Sequence, residues 1–285
     1  MRLKGIFEEK PVGVKLAVLL LFLLAGAFGG IYIVQAFGLG TMHIKLTQAI
    51  TVTSTILLPA LLAAWFCSTD PPNEFYIKQP IPKKQPSRII CATLAVAPCI
   101  NLIHYYNKMM SFPSWLGGVE QWMIEMENAT EQATKLLLQT ESIGGLFITL
   151  SIVALLAAVS EELLFRGVLF RWIKSTHIGS HWTIWIIAFV FSAIHLQFFG
   201  FVPRLLLGAY LGYLLLWTGS LWAPILAHFI HNALGVLLYY RYAGTEEEFM
   251  MEPGTGATLW FSAIGAVIFL FCLRKIWEER IQTFS

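Results

Sequence analysis

Long apolar stretches without charge constrain this chain more than any other feature. They recur along all 285 residues, and each is close to the roughly 20 residues that a helix needs to cross the hydrocarbon layer of a bilayer. A helix also satisfies its own backbone hydrogen bonds there. The sequence therefore predicts an all-α, polytopic membrane protein with about eight transmembrane helices. The expected spans are 16–37, 48–67, 89–106, 142–165, 182–199, 201–217, 221–240 and 257–273.

The composition excludes an ordinary soluble domain. The chain is 57% hydrophobic and 13% charged, whereas a soluble domain has about 25% charged residues, and the mean hydropathy is +0.68. The first stretch follows basic residues, as a signal peptide would. It is longer than the usual apolar core of such a peptide, about 7–15 residues, so we expect a retained first span.

The basic residues are distributed unevenly between the two sides of the predicted membrane. If the N-terminus is cytoplasmic, most of the 19 Lys and Arg residues, from Arg2 onward, fall in cytoplasmic segments. This bias sets the orientation of membrane proteins. We expect a multi-pass protein of the cell (cytoplasmic) membrane with both termini in the cytoplasm. The basic residues on the outer side are Lys45, Lys108, Lys135, Arg204 and Arg241.

One segment outside the spans has its own pattern. Residues 119–137 place apolar side chains at helical spacing, opposite glutamates and glutamines, which predicts an amphipathic extramembrane helix. We find no internal repeat, so residues 1–285 are expected to form a single transmembrane domain. Its motif-bearing core covers about residues 142–240, where Gly208 and Gly212 are spaced to admit a neighbouring helix.

Two adjacent carboxylates and a guanidinium interrupt the fourth stretch. In Ser160-Glu161-Glu162-Leu163-Leu164-Phe165-Arg166, Glu162 and Arg166 are separated by four residues and can pair on a helix. Glu161 then points elsewhere, about 100° around the helix. An ion-paired patch at the end of a span would need only one carboxylate, whereas ionisable groups at membrane depth usually mark function.

Two further polar groups follow. Phe191-x-x-x-His195 lies near the end of the fifth stretch, and His228, His231 and Asn232 lie in the seventh. A lone histidine such as His195 is commonly a hydrogen-bonded core residue. Polar side chains on one membrane helix can also simply hold helices together, but two histidines and an amide on neighbouring faces favour a functional site.

These residue types are suited to hydrolysis. Glu161 and His195 could hold and deprotonate a water molecule, while His228 and Asn232 could donate hydrogen bonds to the oxyanion formed on a scissile carbonyl. Alternatively, Glu161, His195 and His228 could bind a catalytic zinc ion with an open water position. We find neither an HExxH motif nor a Gly-x-Ser-x-Gly elbow. Zinc and a metal-free mechanism are equally open.

The depth of His195 is a test of this hypothesis. By residue count, Glu161 and His228 lie in the cytoplasmic halves of their helices. His195 lies about 20 Å into a span that begins near Trp182. The three residues can meet only if the fifth helix enters the membrane late or tilts strongly.

The three motifs, in this order, resemble those of the CPBP intramembrane proteases. They are Glu161-Glu162-x-x-x-Arg166, Phe191-x-x-x-His195 and His228-x-x-x-Asn232. That family includes the eukaryotic CAAX prenyl endopeptidases and bacterial proteins linked to bacteriocin processing or self-immunity. The resemblance implies a membrane-embedded endopeptidase with eight helices, in which Glu161, His195, His228 and Asn232 are catalytic. It makes Glu162, Arg166 and Phe191 supporting residues.

Three classes of function follow from these observations. The first is a hydrolase, an intramembrane endopeptidase that cleaves a CAAX-type or a bacteriocin- or leader-type peptide. The second is a non-catalytic immunity or regulatory protein of the membrane, and the third is a transporter with a proton relay. The intact motifs favour the first. We expect a peptide or protein substrate and the lipid bilayer as partners, and no nucleic acid.

Overall fold

The computed structural model describes residues 3–40, 43–110, 112–243 and 256–280; Arg2 lies outside them. Within these ranges the chain is helical and contains no strand. One helical turn, Pro71–Glu74, lies between the second and third of nine longer helices in the described part. These helices are α1 (Val12–Ala36), α2 (Ile44–Cys67), α3 (Gln85–Lys108), α4 (Gly117–Leu138), α5 (Ile143–Lys174), α6 (Ser180–Ala193), α7 (Phe201–Thr218), α8 (Trp222–Tyr242) and α9 (Gly256–Glu278).

The all-α, polytopic architecture is confirmed. Among the described residues, seven helices are long and apolar enough to cross a membrane, namely α1, α2, α3, α5, α7, α8 and α9. Large apolar side chains such as Phe28, Trp182 and Val267 are exposed on the outer faces of the helices, where lipid would cover them. The predicted amphipathic helix is α4, with acidic residues in its first turns and Met123 buried.

The fifth predicted span, 182–199, is wrong in its length. Helix α6 has 14 residues and ends at Ala193, because the backbone of Leu196 is left-handed, with φ of 52°, and cannot continue a right-handed helix. The Ser192 hydroxyl then donates to the carbonyl of Phe201 at 2.7 Å, which ties the chain to the start of α7. His195 therefore lies in a loop and not inside a helix.

Helix α5 is longer and less regular than the predicted span 142–165. It continues to Lys174, and π-helical segments at Leu150–Leu156 and Leu163–Leu169 enclose the α-helical segment Ala157–Glu162. Wider turns of this kind are frequent at functional sites. Arg166, which falls one residue beyond the predicted span, lies inside this helix and is 1% exposed.

Two glycines allow α6 and α7 to pack closely, as their spacing predicts. A Cβ atom on Gly212 would lie 2.9 Å from Cγ2 of Ile184, and one on Gly208 would lie 3.2 Å from Cα of Ala188. No side chain fits at these distances without displacing the neighbouring helix. This close contact places the C-terminal end of α6, and the loop with His195, beside α5 and α7.

Candidate active site

A buried ion pair with a histidine forms the base of the site. Nη1 of Arg166 donates to Oε1 of Glu162 at 2.9 Å, and Nη2 donates to the carbonyl of Gly208 at 2.7 Å. Nδ1 of His228 donates to the same Glu162 oxygen at 2.8 Å. Because charges removed from water are tolerated only when well paired, Glu162 and Arg166 are committed to holding α5, α7 and α8 together.

Glu161 has different surroundings from its neighbour. Its side chain is 14% exposed, and its Oε2 atom lies 3.9 Å from Nε2 of His228. The ring of His228 thus lies between two carboxylates, with one nitrogen bound to Glu162 and the other facing Glu161. The predicted division between a paired and a free carboxylate agrees with this geometry.

The loop after α6 orients His195. Its Nδ1 lies 2.7 Å from the carbonyl of Phe191. A carbonyl oxygen only accepts, so Nδ1 carries the proton and Nε2 of the neutral ring is an acceptor. The Phe191 ring is a spacer between the polar groups, with its centroid 5.1 Å from that of His195, 6.0 Å from that of His228 and 5.0 Å from Cζ of Arg166.

Contacts from several helices fix this loop. Nδ2 of Asn107, on α3, donates to the carbonyls of Phe198, at 3.1 Å, and of Phe199. The ring of Trp122, on α4, lies 5.0 Å from that of Phe198. The left-handed residue Leu196 directly follows His195, and strained backbone persists only where surrounding contacts determine it, often at functional sites.

The four residues predicted to be catalytic line one cavity of about 340 Å³. Glu161 comes from α5, His195 from the loop after α6, and His228 and Asn232 from α8. Nδ2 of Asn232 donates to the carbonyl of Val153 at 3.3 Å, so its second N–H is available. The difficulty with the depth of His195 disappears, because α6 is short and the loop returns toward the bundle.

The cavity is also lined by a second group of polar side chains, here called the polar wall, and most of them were not predicted. His231 had been noticed in the sequence, but no role was given to the others. Arg204, counted as an outer-side residue, is in the first turn of α7 and is the one charge in the apolar stretch 201–217, a signal that could have identified it. The residues of this wall are Asn101, His104, Glu127, Gln197, Arg204 and His231.

Several buried polar atoms of that wall have no hydrogen-bond partner among the described residues. They are Oε2 of Glu127, Nη1 of Arg204 and Nδ1 of His231. Buried polar atoms are almost always paired, so such orphans require an explanation, such as water or a ligand. Their convergence on one cavity indicates that it is built to receive polar groups.

The candidate zinc ligands do not fit a metal ion in this arrangement. In the part of the chain that the structure describes, no three His, Cys, Asp or Glu side chains are grouped closely enough to hold one. Glu161, His195 and His228 share the cavity but do not form such a group within it. The chemistry that this geometry supports is that of the side chains themselves.

The fold and the site define a polytopic helical membrane protein with a Glu–His–Asn cavity inside its bundle. Residues 143–234, about a third of the chain, match the family model described as type II CAAX prenyl endopeptidase Rce1-like. The resemblance to the CPBP proteases, predicted from the three motifs, is thereby confirmed over this segment.

Part of the chain is also similar to a bacterial protein. The uncharacterized protein YpbD of Bacillus subtilis (strain 168) is 38% identical over 84 residues, which are 28% of this chain and 40% of that protein. The chain thus matches less than half of the length of this relative. No solved structure matches the chain.

Proposed function

We propose that the protein is an intramembrane endopeptidase that hydrolyses a peptide bond with a water molecule activated by Glu161 and His195. The observation that carries this proposal is the convergence of Glu161, His195, His228 and Asn232 on one cavity. The family match over residues 143–234 supports it. The substrate is a membrane-associated or cytosol-accessible peptide of CAAX type or of bacteriocin-leader type.

Water activation uses the two acceptors that face the cavity. Glu161 is the carboxylate left free by the pairing of Glu162 with Arg166, and Nε2 of His195 has a lone pair because Nδ1 donates to Phe191. A water molecule between them loses a proton to Glu161 while its oxygen adds to the scissile carbonyl carbon. General-base assistance of this kind is worth about 10²–10⁴-fold in rate.

The oxyanion is stabilised from α8. The second N–H of the Asn232 amide and a protonated Nε2 of His228 donate to the carbonyl oxygen as it gains negative charge. Glu162 keeps the His228 ring oriented through Nδ1, and Phe191 separates this ring from His195. The proton taken by Glu161 then passes to the leaving amine as the C–N bond breaks.

This mechanism is of the glutamate type and involves no metal. We therefore expect peptide cleavage to continue after treatment with a membrane-permeant zinc chelator. Metal analysis of the purified, treated protein checks that zinc is absent. Loss of activity on chelation, with recovery on adding Zn²⁺, would instead assign Glu161, His195 and His228 to a metal.

The location and orientation belong to the same proposal. The distribution of basic residues favours the cytoplasmic membrane with both termini in the cytoplasm. In this orientation Glu161 and His228 lie by residue count in the cytoplasmic halves of their helices, whereas Arg204 lines the same cavity from the outer side. The proposed substrate, a membrane-associated or cytosol-accessible peptide, would then enter laterally from the lipid.

The central experiment compares reconstituted wild type, Glu161→Gln and His228→Ala on peptide libraries, with cleavage read by mass spectrometry. We expect both variants to lose at least about 10²-fold in rate while their elution as folded protein is unchanged. Glu131→Gln is the matched control. Glu131 is on the exposed face of α4, and among the described residues its ion pair is with Lys135.

Full activity in both site variants would reject this mechanism. If wild type cleaves no library while it captures a specific peptide, the protein is instead a non-catalytic binding protein of the membrane. Proteomics of membrane peptides from cells that contain wild type or Glu161→Gln would then identify the substrate or the bound partner.

A further inference from the structure

Arg204 is a cation without a counter-ion in the catalytic cavity. No carboxylate of the described residues lies within the 4.0 Å of an ion pair with it, and its Nη1 atom is buried with no hydrogen-bond partner. Arg166 also has one buried nitrogen without a partner, Nε, but its charge is paired with Glu162 and its Nη2 donates to the carbonyl of Gly208. Buried arginines are rarely left unpaired.

The guanidinium of Arg204 is nevertheless held in place. Its Nη2 donates to Oε1 of Gln197, in the His195 loop. The group also lies over Gly200, where an added Cβ would lie 3.2 Å from Nη2 and 3.6 Å from Nη1. The guanidinium is thus held in place by protein, and Arg204 also lines the cavity; a cation fixed in this way is preorganised to bind an anion.

The nearest carboxylates act on Arg204 without contacting it. Glu127, from α4, and Glu161, from α5, are the acidic groups that interact electrostatically with it. Both line the same cavity, and Oε2 of Glu127 has no partner among the described residues. Arg204 therefore lines a cavity in which no described carboxylate forms an ion pair with it.

We propose that Arg204 binds a carboxylate of the substrate, so that the cavity selects peptides with a free α-carboxylate or an acidic side chain near the scissile bond. The inference rests on the proposed endopeptidase function. Arginine is the residue best suited to this task, because its planar fork matches a carboxylate and its charge-assisted hydrogen bonds are strong. Glu127, which lines the same cavity, repels the bound carboxylate.

Binding is measured first, so that the test does not depend on turnover. The protein is the full chain with Glu161→Gln, in lipid nanodiscs, and the probes are three random-sequence peptide libraries. One ends in a free carboxylate, one in a carboxamide, and one in a carboxamide with Asp or Glu near its end. Arg204→Gln is compared with Arg171→Gln, a control on the exposed end of α5 that lies outside this cavity.

We expect tighter binding of carboxylate-bearing peptides, with an affinity about 10- to 100-fold lower in Arg204→Gln and unchanged in Arg171→Gln. Carboxamide peptides without an acidic residue should bind equally to all variants. Arg204→Lys should recover part of the loss, and Glu127→Gln should strengthen carboxylate binding, because it removes a like charge. Comparison of the two carboxylate-bearing libraries shows whether Arg204 binds the C-terminal α-carboxylate or an acidic side chain.

If the protein with Arg204 intact binds the carboxylate and carboxamide libraries equally, the proposed carboxylate subsite is wrong. The same holds if Arg204→Gln weakens both libraries equally, because the arginine would then act on structure or on the oxyanion. If the binding difference is present but the enzyme with Glu161 intact cleaves none of the libraries, the subsite stands and the proposed peptidase function fails.

Discussion

The buried pair between Glu162 and Arg166 provides the sharpest test of how this bundle is held together. Glu162 is 0% and Arg166 1% exposed, and one oxygen of Glu162 accepts from both Arg166 and His228. The substitution Glu162→Gln keeps the shape of the side chain but leaves the guanidinium without a counter-ion at close range. Breaking one partner of a buried pair costs about 3–5 kcal/mol.

The chain contains a matched control for this experiment. Glu131 and Lys135 have the same four-residue spacing and an ion-pair distance of 2.7 Å, but their side chains are 46% and 62% exposed. An exposed helical pair of this kind is worth about 0.3–0.5 kcal/mol. The loss of the buried pair is therefore predicted to cost about ten times as much free energy of unfolding as the loss of the exposed pair. The spacing is the same in both pairs, so the difference is due to burial.

The assay is equilibrium unfolding in mixed micelles with increasing SDS, followed by tryptophan fluorescence. Wild type, Glu162→Gln, Glu131→Gln and the double variant Glu162→Gln/Arg166→Met are compared. We expect the double variant to recover most of the stability lost in Glu162→Gln, because it also removes the unpaired charge. If Glu162→Gln is no less stable than Glu131→Gln, the pair does not carry the energy that its burial implies.

Two further predictions concern the helix packing and the surface helix. Gly212→Leu should destabilise the protein by about 1–3 kcal/mol, because its Cβ would already lie 2.9 Å from Ile184; Gly118→Leu, in open space, is the control, and equal effects in the same SDS titration would contradict the close packing. The hydrogen bond from Lys135 holds the pKa of Glu131 below its ordinary value of 4.5. The stabilisation by the ionised carboxylate is therefore complete above pH 4.5 and is lost as the pH falls through the lowered pKa. Titration of the labelled carboxyl carbon by NMR should show this pKa rising in Lys135→Gln, and no change would contradict the assignment.

The residues that the sequence identifies best are those whose partners are close along the chain. Glu162 and Arg166 are one turn apart, so their pairing follows from helix geometry, and a carboxylate or histidine in an apolar stretch is conspicuous by its cost. The convergence of Glu161, His195 and His228 had to be assumed, because it depends on contacts between helices.

Other features left no trace in the pattern of apolar residues. The loop after α6 contains Ile194, Leu196 and Phe198, so hydropathy continues through a turn that the left-handed backbone of Leu196 creates. The polar wall of the cavity is assembled from α3, α4, α7, α8 and the loop after α6. In the sequence, Glu127 looks like one of several solvated glutamates. Its inward position follows from how α4 packs, which no local pattern encodes.

The shortness of α6 has a consequence for the surrounding lipid. Its 14 residues amount to about 21 Å of helix, whereas the hydrocarbon layer is about 30 Å thick. Trp182 and Phe189 are exposed on this helix, where lipid would cover them, and local thinning of the bilayer is one way to meet such a hydrophobic mismatch. Headgroups and their hydration are then drawn toward the loop of His195, which would bring the bulk supply of water close to a cavity proposed to consume it.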